Sequence, residues 1–136
     1  DGLIIPDLPL EIYVSEYQAI FEKYALANIF LITPQTSEER ILKIDSISNS
    51  FIYMVSSSSV TGSTDGFGEK EMNYFERISK MNLKNPQIIG FGINDKLTFN
   101  QAATFQKGAI IGSSFVKFIK ENAVASLSDF TRNFIN

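Results

Sequence analysis

Short runs that are apolar at almost every position alternate along the chain with longer stretches in which apolar residues recur every three or four positions. The short runs are Gly2-Leu3-Ile4-Ile5-Pro6, Ile29-Phe30-Leu31-Ile32-Thr33, Phe51-Ile52-Tyr53-Met54-Val55, Ile88-Ile89-Gly90-Phe91 and Ala109-Ile110-Ile111-Gly112. A strand covered on both faces reads this way, because neither set of alternate side chains meets water. These runs therefore predict five parallel strands. Between them, a helix over 10–26 carries Leu10, Val14, Tyr17, Ile20, Phe21 and Tyr24 on one stripe. A second, over 37–48, carries Ile41, Leu42, Ile44 and Ile47, and Thr36 with Glu39 fits a capping box at its start. A third covers 69–81 through Met72, Phe75, Ile78 and Met81. A fourth covers 95–106 through Leu97, Phe99, Ala102 and Phe105, with Asn94 as N-cap. A short helix over 114–123 follows, then a last one to Ile135 capped by Ser126 with Asp129.

This alternation implies βαβ units joined by right-handed crossovers. Five parallel strands do not close a barrel. They form either an open doubly wound sheet or part of a (βα)₈ TIM barrel. Asp1 leads almost at once into an apolar run, which favours the second: about five C-terminal βα units, with the first three strands lying before Asp1. No linker or low-complexity stretch interrupts the chain, so residues 1–136 are expected to form the C-terminal portion of a single barrel domain.

Composition narrows the chemistry. The chain has no histidine and no cysteine, which removes the commonest general base, thiolate nucleophiles and the usual zinc ligands. No cluster has metal-ligand spacing, so no metal is expected. A net charge of −3 with no basic run argues against nucleic acid. Apolar runs of five to seven residues are too short to cross a bilayer. With no signal-peptide pattern either, a cytoplasmic chain is expected.

Two motifs stand at the ends of consecutive strands: Gly90-Phe91-Gly92, and Gly112-Ser113-Ser114. Glycines let backbone approach a ligand closely, and serines opening a helix offer free N–H groups to an anion. Each alone is equally a turn and a cap. Together, after the last two strands, they match the place where phosphate-binding barrels hold phosphate. The glycine-punctuated stretch Ser56–Gly68 has the length of a lid or of a plain surface connection. Asp7, in Pro6-Asp7-Leu8-Pro9, follows a strand end and reads as a turn residue or a site residue. Tyr53 reads as a core aromatic with one polar handle.

Taken as a set, several segments resemble the tryptophan synthase alpha subunit family of (βα)₈ barrels. They are Leu3-Ile4-Ile5-Pro6-Asp7-Leu8-Pro9, Phe30-Leu31-Ile32-Thr33-Pro34, Phe51-Ile52-Tyr53-Met54-Val55-Ser56, Val60-Thr61-Gly62, Gly90-Phe91-Gly92-Ile93 and Gly108-Ala109-Ile110-Ile111-Gly112-Ser113. The resemblance begins at the family's fourth strand and runs to its C-terminus. It implies retro-aldol cleavage of indole-3-glycerol phosphate to indole and glyceraldehyde 3-phosphate in tryptophan biosynthesis. It implies that Gly62, Gly92, Gly112 and Ser113 hold the phosphate, that Tyr53, Thr61 and Phe91 lie near the indole-glycerol part, and that Asp7 and Pro9 face a β subunit carrying pyridoxal phosphate. This chain itself would carry no cofactor. Two departures accompany it. The family's lid usually reads S-R-x-G-V-T-G, whereas this chain has Ser56-Ser57-Ser58-Ser59-Val60-Thr61-Gly62. The family's two catalytic carboxylates come from its second strand and just beyond, and no residue here matches them. The resemblance thus implies the phosphate- and indole-binding half of a lyase site, inactive as an isolated piece. The alternatives are a non-catalytic phosphate-ester-binding partial barrel, or another phosphate-binding barrel lyase or isomerase.

Overall fold

In the computed structural model, residues 1–56, 66–122 and 127–135 are described. Among them five short strands run parallel: β1 (Gly2–Leu3), β2 (Ala27–Asn28), β3 (Leu31–Ile32), β4 (Ile52–Val55) and β5 (Gln87–Gly90). They form a two-stranded ladder, β1-β2, and a three-stranded one, β3-β4-β5.

The predicted strand over 29–33 is the joint between these ladders, and this corrects its boundaries. Ala27 and Ile29 donate their amides leftward, to Asp1 O and Leu3 O at 2.9 Å each, while Phe30 O accepts the Tyr53 amide on the right at 2.9 Å. One extended segment so hands its pairing from β1 to β4; its central residues, Ile29 and Phe30, lie between β2 and β3 and each bonds to one of the two neighbours. The predicted fifth strand is also corrected. Ala109 makes a single parallel bridge to Ile89, held by Ile89 N–H to Gly108 O at 3.2 Å and Ile110 N–H to Ile89 O at 2.7 Å. Glycines bound this run and no strand pairs its outer edge among the described residues, so it stays extended without growing a ladder.

Register separates two layers of side chains. Ile32, Met54 and Ile89 stand side by side and are wholly buried. They pack under helices α3 (Glu38–Ile47), α4 (Glu69–Ser79) and α5 (Lys96–Phe105), against Ile41, Ile44, Phe75, Ile78 and Ala102. The opposite layer, Leu31, Tyr53 and Ile88, is buried only at Tyr53; Leu31 and Ile88 remain half-exposed. The expectation of cover on both faces therefore holds on the helix side alone. Among the described residues the other face is open.

The first predicted helix is built as α1 (Leu10–Ile12), a π-helical turn at Tyr13–Tyr17, and α2 (Gln18–Lys23), ending at Ala25 with φ +52°. The wide turn shifts the buried face to Leu10, Tyr13 and Phe21. It leaves Val14, Tyr17, Ile20 and Tyr24, four of the six residues on the predicted stripe, exposed. The chain closes with α6 (Ser113–Glu121) and α7 (Leu127–Ile135), whose Phe130 and Phe134 join the core.

Two caps fall one residue later than predicted. Ser37, not Thr36, caps α3 by accepting the Arg40 amide at 3.3 Å, while Thr36 Oγ1 accepts the Thr33 amide and closes the preceding turn. Asp95, not Asn94, caps α5 in a reciprocal box with Thr98. Ser126 lies outside the described residues.

Candidate functional site

The ends of β4 and β5 and the start of α6 converge on a cavity of about 180 Å³. Its lining includes Tyr53, Phe91, Gly92, Gly112 and Ser113, five of the seven residues expected to touch substrate. The other two, Thr61 and Gly62, lie outside the described residues. Asp7 and Pro9 are exposed in the turn between β1 and α1 and do not line it. The volume falls below the roughly 300–1,000 Å³ of complete small-molecule sites. The described residues thus build one part of a site.

Tyr53 reaches the cavity because the β4 register sends Ile52 and Met54 to the helices and Tyr53 to the interior. Its ring lies over Gly90, where a Cβ would land on the ring and hydroxyl. Phe91 meets it edge-on, with centroids 6.0 Å apart at 64°. Burial pushes the Tyr53 phenol up from its ordinary value, so the hydroxyl stays protonated and able to donate.

Phe91 and Gly92 form a left-handed pair, with φ +68° and +72°. For glycine this is free; for phenylalanine it is a strained conformation of the kind that gathers at functional sites. The pair turns the Phe91 side chain outward, 57% exposed at the cavity mouth. Buried Ser56 holds it: the Ser56 amide donates to Gly90 O at 3.2 Å, and its hydroxyl donates to Phe91 O at 2.9 Å. Behind Gly92 lies Phe67, 3.0 Å from where a Cβ would stand.

Gly112 is the N-cap of α6 and makes no side-chain cap; a Cβ there would meet nothing within 4 Å. Ser113 and Ser114 begin the helix, and Ser114 Oγ donates to Asn94 O at 3.0 Å, tying this loop to the one after β5. The amides of the first helical turn carry the positive end of the helix dipole toward the opening. No lysine, arginine, aspartate or glutamate lines the cavity among the described residues. An anion there would rest on neutral donors, and no carboxylate is at hand to move a proton.

Ile93, Asn94 and Ile110 complete the lining and were not among the residues predicted for the site. For Asn94 the available signal was the adjacent pair Asn94-Asp95: once Asp95 with Thr98 takes the capping role, Asn94 is left facing the loop. No group of His, Cys, Asp or Glu suited to a metal occurs among the described residues, nor does a helix long and apolar enough to cross a membrane.

The family model for the tryptophan synthase alpha chain matches residues 1–135. A tryptophan synthase alpha chain of Flavobacterium psychrophilum is 68% identical over 130 residues, covering 96% of this chain and 51% of the relative. One from Christiangramia forsetii is 63% identical over 132 residues, covering 97% and 52%. Among solved structures, tryptophan synthase subunit alpha from Campylobacter jejuni superposes with a TM-score of 0.75 at 26% identity, over 98% of this chain and 52% of that one. A chain of the tryptophan synthase complex from Pyrococcus furiosus shares the fold, with a TM-score of 0.73 at 23% identity, over 98% and 52%. The chain spans about half the length of the curated relatives it matches. With its parallel strands, one-sided helical cover and open interior, it is part of a TIM barrel and belongs to the tryptophan synthase alpha chain family.

Proposed function

We propose that this chain forms the phosphate- and indole-binding half of a lyase site, from a fragment that is the C-terminal portion of a single barrel domain. The reaction is retro-aldol cleavage of indole-3-glycerol phosphate to indole and glyceraldehyde 3-phosphate. The observation that carries this reading is the convergence of Tyr53, Phe91, Gly92, Gly112 and Ser113 on one cavity at the strand ends. The α6 N-terminus and the Gly112 and Ser113 backbone receive the phosphate. Tyr53 and Phe91 offer two aromatic faces to the indole. Cleavage needs a base to take a proton from a glycerol hydroxyl and an acid to protonate the departing indole carbon. The cavity lining offers no carboxylate for either task, so those groups belong to the remainder of the barrel.

In this reading Thr61 and Gly62 contribute from the segment between β4 and α4, and the exposed Asp7 and Pro9 meet a β subunit that carries pyridoxal phosphate. The alpha reaction asks for no cofactor in this chain, and its place is the cytoplasm. The missing carboxylates favour a second reading for the chain on its own, as a phosphate-ester binder without turnover. Calorimetric titration with glycerol 3-phosphate, set beside an indole-release assay, tests both. Binding without release is expected of the isolated chain. Binding with release is expected once the rest of the barrel is present. Failure of a full-length chain carrying this sequence to bind the phosphate ester would overturn the assignment.

A further inference from the structure

We propose that Ser56 is a positioning residue for the phosphate ester, acting through the backbone of Phe91 and Gly92; this deepens the proposed function and rests on it. Ser56 sits at the end of β4 with its side chain wholly buried. It makes two bonds to successive carbonyls, one at the end of the neighbouring strand β5 and one just past it: amide to Gly90 O at 3.2 Å and hydroxyl to Phe91 O at 2.9 Å. The first continues the β4–β5 ladder. The second falls outside any ladder, on the carbonyl of a residue at φ +68°.

A phenylalanine does not hold a left-handed conformation by its own preference, since its Cβ crowds the following carbonyl. Something must compensate, and the Ser56 hydroxyl is the side-chain group bonded to that peptide among the described residues. The consequence reaches the cavity directly. The peptide whose oxygen Ser56 binds ends at Gly92, so fixing that oxygen fixes where the Gly92 N–H is aimed. Gly92 is further confined where a Cβ would stand, with Phe67 3.0 Å and Ser56 Oγ 3.7 Å from that point. Ser56 itself does not line the cavity, so it touches no ligand and works by holding what does.

The test uses a full-length alpha chain carrying this sequence, with glycerol 3-phosphate as the probe so that the aromatic contacts are not read. Ser56→Ala is expected to weaken binding about tenfold, the loss of one buried hydrogen bond that fixes a strained turn. Ser56→Thr, which keeps the hydroxyl, is expected to restore most of it. The decisive readout is the same change in a Phe91→Gly background. Glycine adopts the left-handed turn without strain, so Ser56→Ala should there cost about twofold or less. A serine that merely packs β4 on β5 would cost the same in both backgrounds, and that result, with thermal midpoints read for each variant, would overturn the proposal. Loss within twofold for Ser56→Ala alone would overturn it as well. If the unmutated chain binds no glycerol 3-phosphate, the proposed function fails with it; if it binds and the cycle is additive, only the role of Ser56 fails.

Discussion

Two glycines line the cavity and a third lies against Tyr53, each for a different physical reason. Gly90 is glycine because Tyr53 occupies the space of its side chain. Gly92 is glycine because its φ is +72° and Phe67 stands behind it. Gly112 has φ −107°, a value other residues adopt, and open space in front of it. Nothing in the fold demands glycine at 112; the empty volume is what the residue provides. Gly112→Val should therefore cost no more stability than the loss of a favourable N-cap residue, about 1 kcal/mol, while weakening glycerol 3-phosphate binding by about 2 kcal/mol, some thirtyfold. Ser113→Ala keeps the backbone N–H and should cost about 1 kcal/mol or less. Equal losses in the two titrations would place the phosphate on the serine hydroxyl instead. The glycine and serine positions were legible in sequence because strand ends and helix starts constrain composition strongly. Ser56 was not legible as a clamp, because its role rests on a bond to Phe91, 35 residues away, and one more serine in a serine-rich stretch carries no such signal.

Elements in this fold are joined by a few buried polar groups that periodicity cannot reveal. Asp45, near the end of α3, is the clearest. It is buried and accepts the amides of Lys84 and Asn85 at 2.9 and 3.0 Å and the Asn85 side-chain amide at 2.8 Å. Asn85 also donates to Asp45 O at 2.7 Å. These bonds pin the turn before β5 to α3 and so set where β5, and Gly90 to Gly92 after it, begin. Burial pushes the Asp45 carboxyl up, but its hydrogen bonds outweigh that and hold it below its ordinary value. A carboxylate with a lowered folded-state pKa stabilises the protein fully above the unfolded value of about 3.9, and that contribution disappears as pH falls through the folded value. Asp45→Ala should then cost about 2–3 kcal/mol at pH 7, by denaturant unfolding, with the gap to the unmutated chain closing below about pH 4. A gap that stayed constant to pH 3 would show that the carboxylate charge contributes nothing. The same limit explains what was misplaced along the chain. Apolar spacing located every helix among the described residues to within a few residues. It assumed 3.6 residues per turn throughout, however, so the π-helical turn at Tyr13–Tyr17 rotated the predicted face out of the core. Caps slipped by one because Thr36-Ser37 and Asn94-Asp95 each offer two adjacent capping residues, and only local geometry chooses between them.

At the scale of the whole molecule the decisive feature is its asymmetry: helices shield one side of the strands, and the interior layer of Leu31, Ile88 and Ile110 is only half-covered. The two flanks are apolar as well. Leu3, Ile4 and Ile5 run along one, and Phe115, Val116 and Ile119 of α6 stand at the other, all more than a third exposed. Among the described residues, β1 pairs on one side only, with β2, and Ala109 pairs on one side only, with Ile89. In a closed barrel both flanks and the interior meet the remaining strands and helices, and relatives of about twice this length have chain enough to supply them. As an isolated 136-residue chain the protein keeps apolar surface beside unpaired backbone donors and acceptors, the combination that drives edge-to-edge association. Purified alone, it should release no indole from indole-3-glycerol phosphate. It should also sediment at low micromolar concentration as dimers or larger species, and return to one discrete species when the complementary part of the barrel is added. Ile4→Lys on the exposed β1 flank should shift the isolated chain toward monomer without disturbing the helix-side core, because Ile4 lies outside that core. A sharp monomer boundary with cooperative unfolding for the unmutated chain would mean that the open interior closes on itself.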